Sequence, residues 1–282
     1  MRPECYYCHI KTIEKLITKF RPGENDAKNL IFSVHEFLGN HRKMTNPRLA
    51  ANIHRIARDQ LNNPDLYKEE KLQANELLHK NYSYWKNIVN SSENPLFTAA
   101  KLSVIGNIID YGSHSINGNI ALQIESLFKN DLKIDHTIEL KKEIEKAKSI
   151  LYLGDNSGEI VFDMMFIETM KHPNVTFVVR DKPVINDVTM DDARQIGMEN
   201  ICRVISNGND APSTLPEYCS KEFNELFKKA DLVISKGQGN FEGLLECDHP
   251  NIFFLLIAKC EPMGHLLGVS KNDMVITKLK NH

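Results

Sequence analysis

Ile150-Leu151-Tyr152-Leu153 runs straight into Gly154-Asp155-Asn156-Ser157-Gly158-Glu159, and an apolar stretch from Ile160 through Phe162 and Phe166 to Met170 follows. Four apolar residues closed by a Gly/Asp/Asn/Ser cluster read as a buried strand and its turn. The apolar stretch after the turn reads as a helix. The pattern then repeats, with further short apolar runs at 175–179, 201–205, 232–234 and 252–257, most of them separated by helical periodicity. Strand, loop, helix, strand predicts βαβ units and a mainly parallel sheet covered on both faces. A last run at 274–277 is expected to add an edge strand.

Upstream of Lys148 the periodicity is helical. Asn63-Pro64 reads as an N-cap followed by proline at the first helical position, and Leu66, Leu77, Tyr82, Trp85 and Ile88 recur at near-helical intervals to about Val89. Other helices are expected near 6–20, 27–38, 47–62, 95–111, 120–129 and 138–147. The reading is therefore α/β, with an all-helical domain over 1–148 and an α/β domain over 149–282.

Composition excludes several classes. The 282 residues are 41% hydrophobic and 26% charged, and 35 Lys+Arg against 37 Asp+Glu leave a net charge of -2. That balance gives no global field to draw nucleic acid or an anionic membrane. The longest purely apolar run, 252–258, is far shorter than the roughly 20 residues a membrane helix needs. No hydrophobic leader opens the sequence, so a cytoplasmic protein with mostly reduced thiols is the expectation.

In a doubly wound sheet, ligands bind beyond the carboxyl ends of strands. The turn after 150–153 offers two hard oxygen donors, Asp155 and Asn156, followed by Ser157 and Gly158, whose backbone amides open a helix where an anion is favoured. The same residues would also serve as a plain helix cap. The second strand leads to Asp187, just before a capping-box-like Thr189-Met190-Asp191-Asp192. Asp155, Asn156 and Asp187 together suit Mg²⁺ or Mn²⁺. The third strand ends in a turn-rich loop with Asn209 and Asp210, read as substrate-binding. The fourth ends in Ser235-Lys236-Gly237-Gln238-Gly239, where a lysine beside glycines offers phosphate a point charge and close backbone approach. Lys259, after the fifth strand, is a second candidate cation.

Gly154-Asp155-Asn156-Ser157-Gly158-Glu159, Lys182-Pro183-Val184-Ile185-Asn186-Asp187-Val188-Thr189 and Ser235-Lys236-Gly237-Gln238-Gly239-Asn240-Phe241-Glu242 together resemble the damage-control phosphatase family. Cys5-Tyr6-Tyr7-Cys8 and Gly106-Asn107-Ile108-Ile109-Asp110 resemble its microbial stand-alone branch. The resemblance spans nearly the whole chain. It implies a helical domain joined to a Rossmann-like domain, and one divalent ion (Mn²⁺, Mg²⁺, Co²⁺ or Ni²⁺) on Asp155, Asn156 and Asp187. It also implies hydrolysis of small phosphate esters such as sugar phosphates or damaged phosphometabolites. Under that reading Lys236 neutralises phosphate charge, Ser157 and the amides of Ser157 and Gly158 hold phosphate oxygens, and Asn107 and Asp110 reach the substrate from the helical domain. Two rivals stand beside it: a carboxylate methyltransferase using adenosyl-methionine, and a non-catalytic phosphometabolite-binding protein.

Cys5-Tyr6-Tyr7-Cys8-His9 matches the haem-attachment pattern, but nothing marks this chain for export, and no second CxxC completes a zinc site. The expected role is packing on one face of the first helix. Glu159 and Glu242 open helices and are expected at most to support the site.

Overall fold

A computed structural model describes residues 2–107 and 120–278. Its first half contains α1 (Pro3–Phe20), α2 (Glu24–Asn40), α3 (Asn46–Gln60), α4 (Lys68–Lys80), α5 (Tyr82–Ser91), α6 (Pro95–Gly106) and α7 (Ile120–Phe128). Then come β1 (Ile134–Asp135), α8 (Thr137–Lys146), β2 (Ile150–Leu153), α9 (Glu159–Met170), β3 (Val175–Val179), α10 (Met190–Ile196) and β4 (Arg203–Ser206). The rest is α11 (Lys221–Lys229), β5 (Leu232–Lys236), α12 (Gly237–Leu244), β6 (Ile252–Ile257), α13 (Glu261–Leu267) and β7 (Met274–Lys278).

The strands form one sheet in the order β1-β7-β6-β5-β2-β3-β4, with every neighbouring pair parallel except β6 and β7, which run antiparallel. Residue alternation decides which layer each side chain joins. Ile150, Tyr152, Phe177, Leu232 and Ile234 face the layer of α6, α9 and α10. Leu151, Leu153, Val178, Val233 and Phe254 face α11, α12 and α13 through Phe223, Phe227, Phe241 and Met263. From β2 the chain steps out to β3 and β4, then returns to β5 on the other side of β2. That reversal lies between β2 and β5, and it is beyond the carboxyl ends of strands at such a reversal that doubly wound sheets bind ligands.

Three expected boundaries move. The run at 274–277 does not lie at an edge, because the two-residue β1, too short to show a pattern, pairs outside it. The helix expected from Pro64 to Val89 begins at Lys68 and breaks at Asn81. Asn63 and Asp65 instead hold a turn, their side chains accepting from the amides of Asp65 and Tyr67. The run expected at 201–205 becomes a strand only from Arg203, as β4, after a short 3₁₀ turn at Met198–Asn200.

The helices do not form one separate block. Leu16, Leu30, Val34, Leu49 and Ile53 of α1 to α3 make a cluster of their own. Trp85, Leu102 and Ile105 instead belong to the cluster that holds Ile150, Phe162 and Phe177. Residues on either side of Lys148 therefore share one core. The Trp85 and Phe162 rings meet edge-on with centroids 5.8 Å apart, and truncating such a buried aromatic typically costs about 3–5 kcal/mol. α6 is buried on all sides, as expected of a helix apolar all round. At Gly106 a Cβ would lie 3.1 Å from Phe162 and 3.2 Å from the Glu159 backbone. This close approach carries Asn107, at the end of α6, to the start of α9.

Candidate metal centre

The turn after β2 and the loop after β3 are zipped together. The Val188 amide donates to the Asp155 carbonyl at 2.8 Å, the Ser157 amide to the Asn186 carbonyl at 2.8 Å, and Asn156 and Asp187 form an isolated antiparallel bridge. Asp155, Asn156 and Asp187 are thereby brought together, 6%, 5% and 3% exposed respectively.

One oxygen of each carboxylate is engaged from behind. Arg180, buried at the end of β3, donates through Nε to Asp187 Oδ2 at 2.8 Å and through Nη2 to Asn240 at 2.9 Å. Asp155 Oδ2 accepts from Asn107 Nδ2 at 2.8 Å and from Asn156 Nδ2 at 2.7 Å. Both amides also donate to Glu159 Oε2, at 2.8 and 3.0 Å. The Asn107 Oδ1 atom is buried without a partner among the described residues.

Burial, then Glu159, pushes the Asp155 carboxyl up to about 6, against the opposing pull of Lys259 and Arg180. Burial pushes Asp187 up to about 7; Arg180 and Lys259 lower it, and Asp155 adds to the rise. Arg180 and Lys259 offset part of this charge, and two neighbouring buried acids remain a favourable place for a further cation. Among the described residues no group of three or more His, Cys, Asp or Glu side chains is arranged to hold a metal. Here two carboxylates stand with asparagine amides, and all are hard oxygen donors. Such a set fits Mg²⁺ or Mn²⁺.

Other sequence-derived candidates fall differently. Lys236 is fully buried, bound to Glu159 Oε1, to Asp163 Oδ1 at 2.8 Å and to the Ser103 carbonyl at 2.9 Å. Burial works against its charge, but Asp163 and Glu159 outweigh it and hold the ammonium above its ordinary value. Lys236 thus has no direction left in which to neutralise phosphate. Ser157 and Gly158 are likewise occupied. The Ser157 hydroxyl donates to Asp192 at 3.0 Å and the Gly158 amide to Asn75 Oδ1 at 2.6 Å, so the expected anion-binding amides face inward.

Asp210 accepts from Arg55 Nε at 3.0 Å and Arg58 Nη2 at 2.9 Å, which pull its carboxyl below the usual range against the opposing effect of burial. It ties α3 to the loop after β4 and cannot also attract an anion. Asn209 is built into that loop, accepting from the Ala211 amide and donating to the Tyr218 carbonyl. Gly237 has a φ of +76° and sits against Asp155, where any Cβ would overlap the carboxylate. Lys259 is half-buried, and its charge reaches both acids. Asp110 lies outside the described residues. Cys8 is exposed and Cys5 half-buried, with Glu242 and Cys260 near its thiol.

Arg180, Asp163 and Asn75 had no role in the sequence reading, and Glu159 was expected at most to support the site from the start of a helix. Asp163 carried a signal. A carboxylate inside the apolar run Ile160-Val161-Phe162-Asp163-Met164, four residues after Glu159, requires a buried cation.

No described helix is long and apolar enough to cross a membrane. A family model described as the damage-control phosphatase ARMT1-like domain matches residues 1–275. A damage-control phosphatase of Pyrococcus horikoshii is 36% identical over 223 residues, 78% of this chain and 77% of that protein. One from Archaeoglobus fulgidus is 35% identical over 239 residues, 82% of this chain and 81% of that protein. A crystal structure of a DUF89 family protein from Pyrococcus horikoshii superposes with a TM-score of 0.89 at 30% identity, covering 99% of both chains. With a match over nearly its whole length and relatives above one-third identity, this chain belongs to the damage-control phosphatase ARMT1-like family.

Proposed function

We propose that this chain is a metal-dependent phosphatase that hydrolyses small phosphorylated metabolites, sugar phosphates or damaged phosphometabolites among them. The observation that carries the reading is the pairing of Asp155 with Asp187 across the Asn156–Asp187 bridge, at the reversal of strand order. The family membership and the two relatives named damage-control phosphatases support it.

Asp155, Asn156 and Asp187 would hold one divalent ion. When bound, such an ion supplies charge that stabilises a phosphoryl group and acidifies water. The chain's own residues do the rest. Arg180 keeps Asp187 turned by holding its Oδ2, and Asn107 and Asn156 do the same for Asp155 Oδ2. Burial of these groups keeps their charges little screened. Lys259, rather than Lys236, would balance the negative charge of the substrate, because its ammonium bears on both acids. Gly237 leaves the room that Asp155 needs, and Asn107 borders the substrate from the end of α6.

Phosphate release from a panel of sugar phosphates and nucleotides tests the reading, using metal-stripped protein with Mg²⁺, Mn²⁺, Co²⁺ or Ni²⁺ restored. Release with at least one ion, and none without, is the expected result. No release with any ion would turn the reading toward a binding protein, or toward adenosyl-methionine chemistry if that compound binds.

A further inference from the structure

Four atoms form a closed square beneath the candidate metal centre: Asp155 Oδ2, Glu159 Oε2, Asn107 Nδ2 and Asn156 Nδ2, with donor–acceptor distances of 2.7 to 3.0 Å. Each amide nitrogen has two hydrogens, and each hydrogen meets a carboxylate oxygen. A carboxylate only accepts, so it dictates which end of a neighbouring amide faces it. The Asn156 nitrogen is therefore directed at Asp155 and Glu159, leaving its oxygen for other partners. Glu159 is fixed in turn. Its Oε1 is held by the Lys236 ammonium, which Asp163 Oδ1 and the Ser103 carbonyl anchor from below, and all three charged side chains are fully buried. Tyr152 and Ser103 hydroxyls, each 2.7 Å away, complete the setting of Asp163 Oδ1.

We propose that Glu159, locked by Lys236, is a positioning residue that sets which end of the Asn156 amide faces the cation. The inference rests on the metal reading above and deepens it. It makes a sharp prediction for an isosteric, uncharged replacement. In Glu159→Gln the new amide must give its oxygen to Lys236, which only donates, and so turns its NH₂ toward Asn107 and Asn156. Donor would then face donor. Asn156 keeps Asp155 Oδ2 as an acceptor but loses Glu159 Oε2 and meets an NH₂ in its place, so its amide is displaced and its oxygen is no longer held toward the cation.

Calorimetric titration of metal-stripped protein with Mn²⁺, at a temperature where each variant is folded by circular dichroism, tests this. Supporting groups behind metal ligands typically contribute about 10–100-fold in affinity, and Glu159→Gln is expected to lose that much. Leu16→Ala, in the separate α1–α3 cluster, lowers the melting temperature but leaves the Mn²⁺ Kd unchanged, which separates positioning from general destabilisation. Glu159→Asp keeps the charge beside Lys236 but draws the carboxylate back from the Asn156 amide. It should weaken Mn²⁺ in the same direction and decides the matter if Glu159→Gln does not fold. Wild-type affinity in a folded Glu159→Gln, or in Glu159→Asp should the first variant fail to fold, overturns the positioning role. A wild-type protein that binds no Mn²⁺ overturns the metal reading itself, and this inference with it.

Discussion

Gly237 backs onto Asp155: its φ of +76° and the overlap that any Cβ would make with the carboxylate leave glycine as the residue that fits. Gly237→Ala therefore combines an unfavourable backbone with displacement of a candidate ligand. The expected result is a stability loss of about 1–3 kcal/mol from the backbone alone and a fall in phosphate release of about 10–100-fold. Thermal melts and phosphate release on the same preparation check both. Unchanged turnover would show that Asp155 can move without consequence.

Arg180 lies among Asp187, Asp155, Thr214 and Asn240 and is 1% exposed. Arg180→Gln leaves two buried acids facing each other with less cationic charge near them. Breaking a buried pair in this way typically destabilises by about 3–5 kcal/mol. Urea unfolding of metal-stripped protein is expected to show a loss of that order. Adding Mn²⁺ should restore more stability to the variant than to the wild type, and equal gains would contradict the proposed arrangement of charge.

Arg58 and Asp210 join α3 to the loop after β4, with side chains 14% and 11% exposed. A double-mutant cycle of Arg58→Ala and Asp210→Ala is expected to give a coupling of about 0.5–3 kcal/mol in unfolding free energy. Additive effects would mean that the latch contributes nothing to holding α3 down.

His54 supplies a pH dependence. Burial first, then the nearby His9 and Arg58 charges, lower it to about 4 from 6.5, against a bond to the Ala50 carbonyl that raises it. Tyr67 is the aromatic ring beside it. The folded state thus binds fewer protons than the unfolded state between those values. The stabilising contribution is complete above about pH 6.5 and declines as pH falls toward 4, by about 3 kcal/mol in all. Burial lowers His9 as well, in the same direction. Urea unfolding between pH 7 and pH 4.5 should show a slope that His54→Leu flattens, and an unaltered slope would remove His54 as its source.

Much of the fold was legible because strand and helix periods alternate after Lys148, with Gly, Asp, Asn or Ser at most junctions. The two-residue β1 was not, since Ile134-Asp135 has no pattern to detect. Asn81 interrupts a continuous helical periodicity, because α4 and α5 both present apolar residues to one core. In the candidate centre, loop position alone brought Asp155, Asn156 and Asp187 into view. Lys236 misled because a lysine before glycine at a strand end looks like a phosphate cation. Its parity held the answer: Leu232 and Ile234 face α6 and α9, so Lys236, two residues on, points into the same layer. Arg180 is reached from the sequence only by asking what neutralises two buried acids.

The most direct test of the central claim compares metal-stripped wild type with Asp155→Ala for phosphate release from the best sugar phosphate, with Mn²⁺ restored and folding checked by circular dichroism. Ion-dependent release by the wild type is expected, with none above background from a folded Asp155→Ala. Wild-type release by that variant, or release by stripped wild type with no ion restored, would contradict it.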